Sequence, residues 1–106
     1  SFVDCSYLAR WCYQQAGVMD YTASTAAEQA RYCINNGYTI PRKDLRIGDL
    51  IFWSFKVNGR YRNISHVGIY VGDNHVIDAS SSRGMVVYRE LFGESSIVVC
   101  ARPYEE

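Results

Sequence analysis

No run of this sequence approaches the roughly 18 apolar residues that a membrane-spanning helix requires. Neither sign of charge is in excess: Lys+Arg and Asp+Glu each number 11. A balanced chain offers no electrostatic case for binding nucleic acid or an anionic membrane surface, both of which ask for a concentration of basic residues. There is no Cys-x-x-Cys pair, so the spacing is wrong for a structural zinc site, and no metal or cofactor is expected. Repeats, low-complexity stretches and a secretory leader are also missing. Cysteine is present four times, as Cys5, Cys12, Cys33 and Cys100, but nothing else resembles a small disulfide-stapled scaffold. Histidine occurs only as His66 and His75, which leaves few choices for a general base.

What is there suits one globular domain spanning 1–106. At 106 residues and 48% apolar content the chain can bury one real core without staples. Helical patterns come first and strands follow, the order of an α+β protein. Segment 5–16 reads as a helix, with Leu8, Cys12 and Ala16 on one apolar face, Asp4 as its cap and Gly17 past its end. A second helix is expected from about Ala26 to Asn36, opened by a Thr25/Glu28 capping box and followed by Gly37. Strands are expected at Leu50–Phe55, at His66–Val71, at His75–Ser80, at Met85–Tyr88 and at Ile97–Cys100, with Asn58-Gly59 as a hairpin signal. The expected architecture is N-terminal helices packed on an antiparallel sheet of about five strands.

Cys5 falls in the first turn of the first predicted helix. Unpaired N–H groups and the helix dipole favour a negative charge there, which lowers a thiol's pKa and yields the nucleophilic thiolate. The same N–H groups can receive an oxyanion. Cys12, two turns along on the apolar face, is in the place of an inert cysteine, and Cys33 and Cys100 read as small buried residues. A cysteine nucleophile needs a base, and the base an orienting group. His66 starts a strand on the face away from Val67, Ile69 and Val71, whereas His75 flanks a turn. Hairpin register decides which acid can reach His66. A two-residue loop at Asp73-Asn74 would set residue 69 against 78 and leave His66 and Asp78 on opposite faces. A three-residue loop, Gly72-Asp73-Asn74, sets 68 against 78 and makes His66 and Asp78 diagonal neighbours on one face. Asn74 tolerates the left-handed position that this loop needs. Gly68 would then leave room beside Asp78, and His75 would face Val71 on the other side of the sheet.

Four segments together resemble one family. Asp4-Cys5-Ser6, with Leu8 and a helix ending at Ala16-Gly17, resembles the nucleophile motif of NlpC/P60 cell-wall peptidases. Leu45-Arg46-Ile47-Gly48-Asp49-Leu50-Ile51-Phe52-Trp53 is similar to the family's PGDLVFF segment. Ser65-His66-Val67-Gly68-Ile69-Tyr70-Val71-Gly72 resembles its SHVGIYxG base motif, and Val76-Ile77-Asp78-Ala79-Ser80 its xIHAS segment. The resemblance implies a papain-like α+β fold and a peptidoglycan stem peptide as substrate, cut between γ-D-glutamate and a diamino acid. It implies Cys5 as nucleophile, His66 as base and Asp78 as orienter, with no cofactor. It also implies a secreted or wall-associated setting.

The sequence departs from that pattern in two places. The third position is most often His in the family and is Asp78 here, a good acceptor for an imidazole N–H. Members also carry an aromatic and glycine-rich stretch ahead of the nucleophile, with a Tyr of the oxyanion hole. The sequence begins at Ser1, so such a segment is expected to precede it. Asp4, Ser6 and Ser65 match positions expected to touch the amino-terminal side of the substrate. Each has a plainer role too: Asp4 as helix cap, Ser6 as a first-turn residue and Ser65 as a hydrogen bonder at a strand start. Asp49 reads as a turn residue, and Ser80 to Ser82 with Arg83 as a solvated loop. Two other functions fit the same fold: a module that binds wall peptides without turnover, and a related thiol amidase or acyltransferase.

Overall fold

The structure, a computed structural model, describes residues 25–80 and 85–103. The expected helix over 5–16, with Asp4, Cys5, Ser6 and Cys12, lies outside the described residues, as do Ser81, Ser82 and Arg83. Helix α1 runs Ala26–Asn35, as its capping residues dictate. Thr25 is extended at the N-cap, and its hydroxyl accepts the Glu28 N–H at 3.1 Å. The Glu28 carboxylate turns to Arg31 instead, at 3.5 Å. Asn36 closes the helix and Gly37 follows at φ +74°, a left-handed conformation that glycine adopts without a steric penalty. The face that α1 buries carries Ala26, Ala27, Ala30 and Cys33, small residues that let the helix backbone approach the sheet closely.

Among the described residues six strands form one antiparallel sheet: β1 Thr39–Ile40, β2 Leu50–Trp53, β3 His66–Gly72, β4 His75–Ser80, β5 Met85–Glu90 and β6 Ile97–Ala101. Their spatial order is β1-β6-β2-β3-β4-β5. The strand beyond the expected five is β1, whose two residues pair with Cys100 and Ala101 and show too little pattern to be read in advance. All four residues of β2 are buried, because this strand is covered on both sides. Leu50 and Phe52 face α1 with Val67 and Ala101. Ile51 and Trp53 face the other way, with Val76 and Cys100. Cys33 and Cys100 are free, buried thiols on opposite sides of the sheet. Desolvation raises their pKa values to about 12 and about 11, so both are neutral at physiological pH.

Asn58-Gly59 does not make a tight hairpin. It bends a longer link between β2 and β3, where the Asn58 carboxamide accepts the Arg60 N–H and donates to the Ile64 carbonyl. The β3–β4 hairpin has the expected register by an unexpected route. Asp73 and Asn74 are both left-handed, at φ 51° and 60°, which makes a two-residue turn of the primed type. Gly72 therefore faces His75, where Val71 was expected. A register shift between Tyr70 and Gly72 then restores the odd pairing, so Gly68 faces Asp78 and Ile69 faces Ile77.

A buried ion pair ties the loop before β2 to the end of β6. The Arg102 guanidinium donates to both Asp49 oxygens, at 2.9 and 2.8 Å, and to the Asp44 carbonyl. The same carboxylate accepts the Arg46 N–H at 2.8 Å. Asp49 is thus a fully buried clasp rather than a simple turn residue. Substituting it takes the carboxylate away from a guanidinium whose side chain is only 10% exposed. Asp49→Ala is expected to lower stability by about 3 kcal/mol in urea denaturation; a loss below ~1 kcal/mol would contradict the clasp.

Candidate active site

The face of the sheet away from α1 carries the candidate site. Pairing of Trp53 with His66 and of Gly68 with Asp78 places these four residues on one side, since side chains alternate along each strand. His66 Nε2 lies 2.7 Å from Asp78 Oδ2. The Asp78 side chain has no exposure and that of His66 only 15%. A carboxylate in such a place must be paired, and here it is paired twice. Arg89, on β5, donates from Nε to Oδ1 at 3.0 Å and from its terminal nitrogen to Oδ2 at 2.6 Å. The planar fork of the guanidinium matches the carboxylate, the strongest geometry such a pair has.

Burial alone would push the Asp78 carboxyl up. The hydrogen bonds from His66 and Arg89, and the positive charge of both, outweigh it and hold the group below its ordinary value. Asp78 is therefore an anion across the neutral range, and an anion beside imidazole Nε2 fixes that nitrogen as the N–H donor.

Aromatic rings build the wall around this pair. Trp53 lies 5.3 Å from the His66 ring, stacks on Phe92 at 4.7 Å and donates its Nε1–H to the Phe92 carbonyl at 2.9 Å. Phe55, half exposed, stacks at 6.4 Å from Trp53 and lies 6.2 Å from His66. Gly68 makes the packing feasible. A Cβ there would sit 3.2 Å from two Trp53 ring carbons and 3.3 Å from the Asp78 Cβ, closer than ordinary contact.

His75 is elsewhere. It stacks on Tyr88 at 5.0 Å, with Nδ1 2.6 Å from the Asp73 carbonyl, on the face that carries Ile77. Ser65 is exposed and pairs with β2: its N–H donates to the Trp53 carbonyl, and its hydroxyl accepts the Phe55 N–H at 3.4 Å. Cys5, Asp4 and Ser6 lie outside the described residues. Among the described residues no group of three His, Cys, Asp or Glu side chains is placed to hold a metal ion, and no helix is long and apolar enough to cross a membrane.

Arg89 is the residue that sequence reasoning missed. The fifth strand was expected to stop at Tyr88, whereas it runs to Glu90 and sets Arg89 opposite Val76, diagonal to Asp78. The signal was the acid itself: an Asp between apolar neighbours in a strand needs a cation on the next strand.

Comparison with known proteins adds sequence and fold likeness. The model of the NlpC/P60 family matches residues 1–99. The peptidoglycan DL-endopeptidase CwlO of Bacillus licheniformis is 35% identical over 86 residues, 79% of this chain and 17% of that protein. The murein DD-endopeptidase MepS/murein LD-carboxypeptidase of Escherichia coli is 31% identical over 85 residues, 80% of this chain and 40% of that protein. The chain thus spans less than half the length of either relative. Among solved structures, the peptidoglycan hydrolase RipB of Mycobacterium tuberculosis superposes with a TM-score of 0.74 at 26% identity, over 97% of this chain and 46% of that one. NlpC1 of Trichomonas vaginalis gives 0.79 at 25% identity, over 97% and 35%.

The lowered Asp78 carboxyl has a consequence for acid stability. A group whose folded value lies below its unfolded value of about 4 stabilises the fold above that pH, and the contribution is lost as pH falls through the folded value. Urea midpoints measured from about pH 6 down to about pH 2 should therefore fall, and fall less steeply in Asp78→Asn. Equal slopes for the two proteins would contradict the ionised, paired state.

Proposed function

We propose that this chain, which belongs to the NlpC/P60 family, is the catalytic domain of a thiol hydrolase that cuts peptidoglycan stem peptides. Cys5 is the nucleophile, His66 the base and Asp78 the orienter. The observation that carries this reading is the 2.7 Å contact between His66 Nε2 and a carboxylate with no solvent exposure. That contact is the base–orienter half of a nucleophilic triad. The named relatives, which are endopeptidases of peptidoglycan and murein, supply the substrate class. Such a substrate locates the activity at the cell wall.

The reaction follows from which nitrogen is already engaged. With Nε2 donating to Asp78, proton exchange with Cys5 falls to Nδ1. His66 takes the thiol proton, giving a thiolate and an imidazolium that the Asp78 carboxylate stabilises. The thiolate attacks the scissile carbonyl carbon, and backbone N–H groups at the start of the helix predicted over 5–16 receive the oxyanion. Collapse of the tetrahedral intermediate breaks the C–N bond, and imidazolium returns its proton to the departing amine. The thioester left on Cys5 is then attacked by water, deprotonated by His66, which releases the carboxylate product and restores the thiol.

The bond we assign is that between γ-D-glutamate and the diamino acid, the preference that the motif resemblance implies. Asp4 and Ser6, beside the nucleophile, and Ser65, which precedes the base, are the residues we assign to the amino-terminal side of the peptide. The half-exposed Phe55 ring borders the same face.

The test is product analysis. The protein, extended by its native upstream residues, is incubated with L-Ala-γ-D-Glu-diamino acid peptides beside its Cys5→Ala variant, and the products are identified by mass. We expect release of L-Ala-D-Glu from the parent and a loss of at least about 10³-fold in rate for Cys5→Ala, as for other covalent nucleophiles. Peptide binding without Cys5-dependent cleavage would overturn the hydrolase and leave a wall-peptide binding module. Cleavage that frees the glycan from the stem would reassign the enzyme as an amidase.

A further inference from the structure

The clamp around Asp78 holds one more group than a triad requires. We propose that Arg89 is a positioning residue of the site, whose guanidinium neutralises the Asp78 carboxylate and so sets the proton affinity of His66. The inference rests on the function proposed above for its catalytic meaning, and on the geometry for its electrostatics.

Arg89 is fixed from two sides. Its fork grips both oxygens of Asp78, and its guanidinium carbon lies 3.9 Å from the centre of the Phe92 ring, in the cation–π arrangement. Phe92 is stacked on Trp53, which touches His66. The cation is thereby held where it shares Asp78 Oδ2 with His66. Among the described residues, the charged groups in contact with His66 or its anchor come from two strands: Asp78 on β4 and Arg89 on β5. The rings packed against His66 are those of Trp53 from β2, Phe55 from the loop after it and Phe92 from the segment after β5, none of which titrates. Tyr70 of β3 and Cys100 of β6 are the other titratable side chains packed in the apolar layer with Trp53. In the proposed reaction Cys5 faces His66 as well.

The charge count has a direct consequence. A lone carboxylate in a poorly solvated place would bind the imidazolium form tightly, and the histidine would return its proton reluctantly. With Arg89 gripping the same carboxylate, the net charge of the anchor is zero. Asp78 then directs Nε2 and fixes the tautomer without committing His66 to its charged state. Lysine cannot reproduce the two-point grip, because it is a point charge on a flexible stem.

A titration of His66 by NMR tests this without turnover. The full chain is used in a Cys5→Ala background, which removes the thiolate. His75, stacked on Tyr88 on the other face, is the reference signal in each sample. Relative to that parent, Arg89→Gln leaves an anchor of one negative charge and should raise the His66 midpoint by about one pH unit. Asp78→Asn leaves an anchor of one positive charge and should lower it by a similar amount. The double variant Asp78→Asn/Arg89→Gln restores a neutral anchor and should return the midpoint to near the parent value. A midpoint that is the same in all four proteins, or that fails to return in the double variant, overturns the proposal in favour of a purely structural ion pair. If Arg89→Gln does not fold, Asp78→Asn and the double variant carry the test, since neither leaves a carboxylate buried without a cation. A parent with Cys5 restored that cleaves nothing contradicts the proposed hydrolase instead, so the two failures are distinct.

Discussion

A carboxylate without access to water is the constraint that the rest of this structure answers to. Asp78 sits on β4 with no exposure, and such a group is tolerable only as a paired anion. Its pairing draws three strands together: β3 supplies the imidazole, β4 the acid and β5 the guanidinium. The surrounding rings follow from the same need. Trp53 and Phe92 exclude water from the cluster, and Gly68 is empty because the Trp53 ring and the Asp78 side chain occupy its space. An orientation fixed this firmly is what a histidine needs if it is to exchange protons through one ring nitrogen only.

The sheet uses the same device a second time, for another purpose. Asp49 is also buried, and an arginine grips it through both oxygens. That pair joins the entry of β2 to the exit of β6 and, among the described residues, includes no histidine. The two clasps lie on either side of the paired strands β2 and β3. One fixes the scaffold from which His66 projects, and the other fixes the ring itself. Removing either partner of such a pair costs more than the pair contributes, because a charge is left behind in a poor solvent.

Much of this was legible before any coordinates. Capping residues placed α1 to within a residue, since Thr25 and Gly37 act locally. The alternation around Val67, Ile69 and Val71 separated His66 from the core face. The odd register of the β3–β4 hairpin followed from the demand that one face hold both His66 and Asp78. The turn did not follow, because a two-residue loop plus a bulge and a three-residue loop leave the same pairing beyond them. β1 was invisible, for two residues carry no periodicity. Arg89 and Arg102 were invisible for a different reason: a charged residue reads as a solvent-facing one until the acid it serves is known to be buried. Cys5 was singled out by its motif and its place in a predicted first turn, and it lies outside the described residues.

The central claim is that Asp78 fixes the tautomer of His66. It is tested most directly by ¹⁵N NMR of the imidazole ring, at a pH above the midpoint of its titration. The account predicts a single neutral tautomer with the proton on Nε2, shared with Asp78, and an unprotonated Nδ1. A ring protonated on Nδ1, or averaged between the two nitrogens, would contradict it.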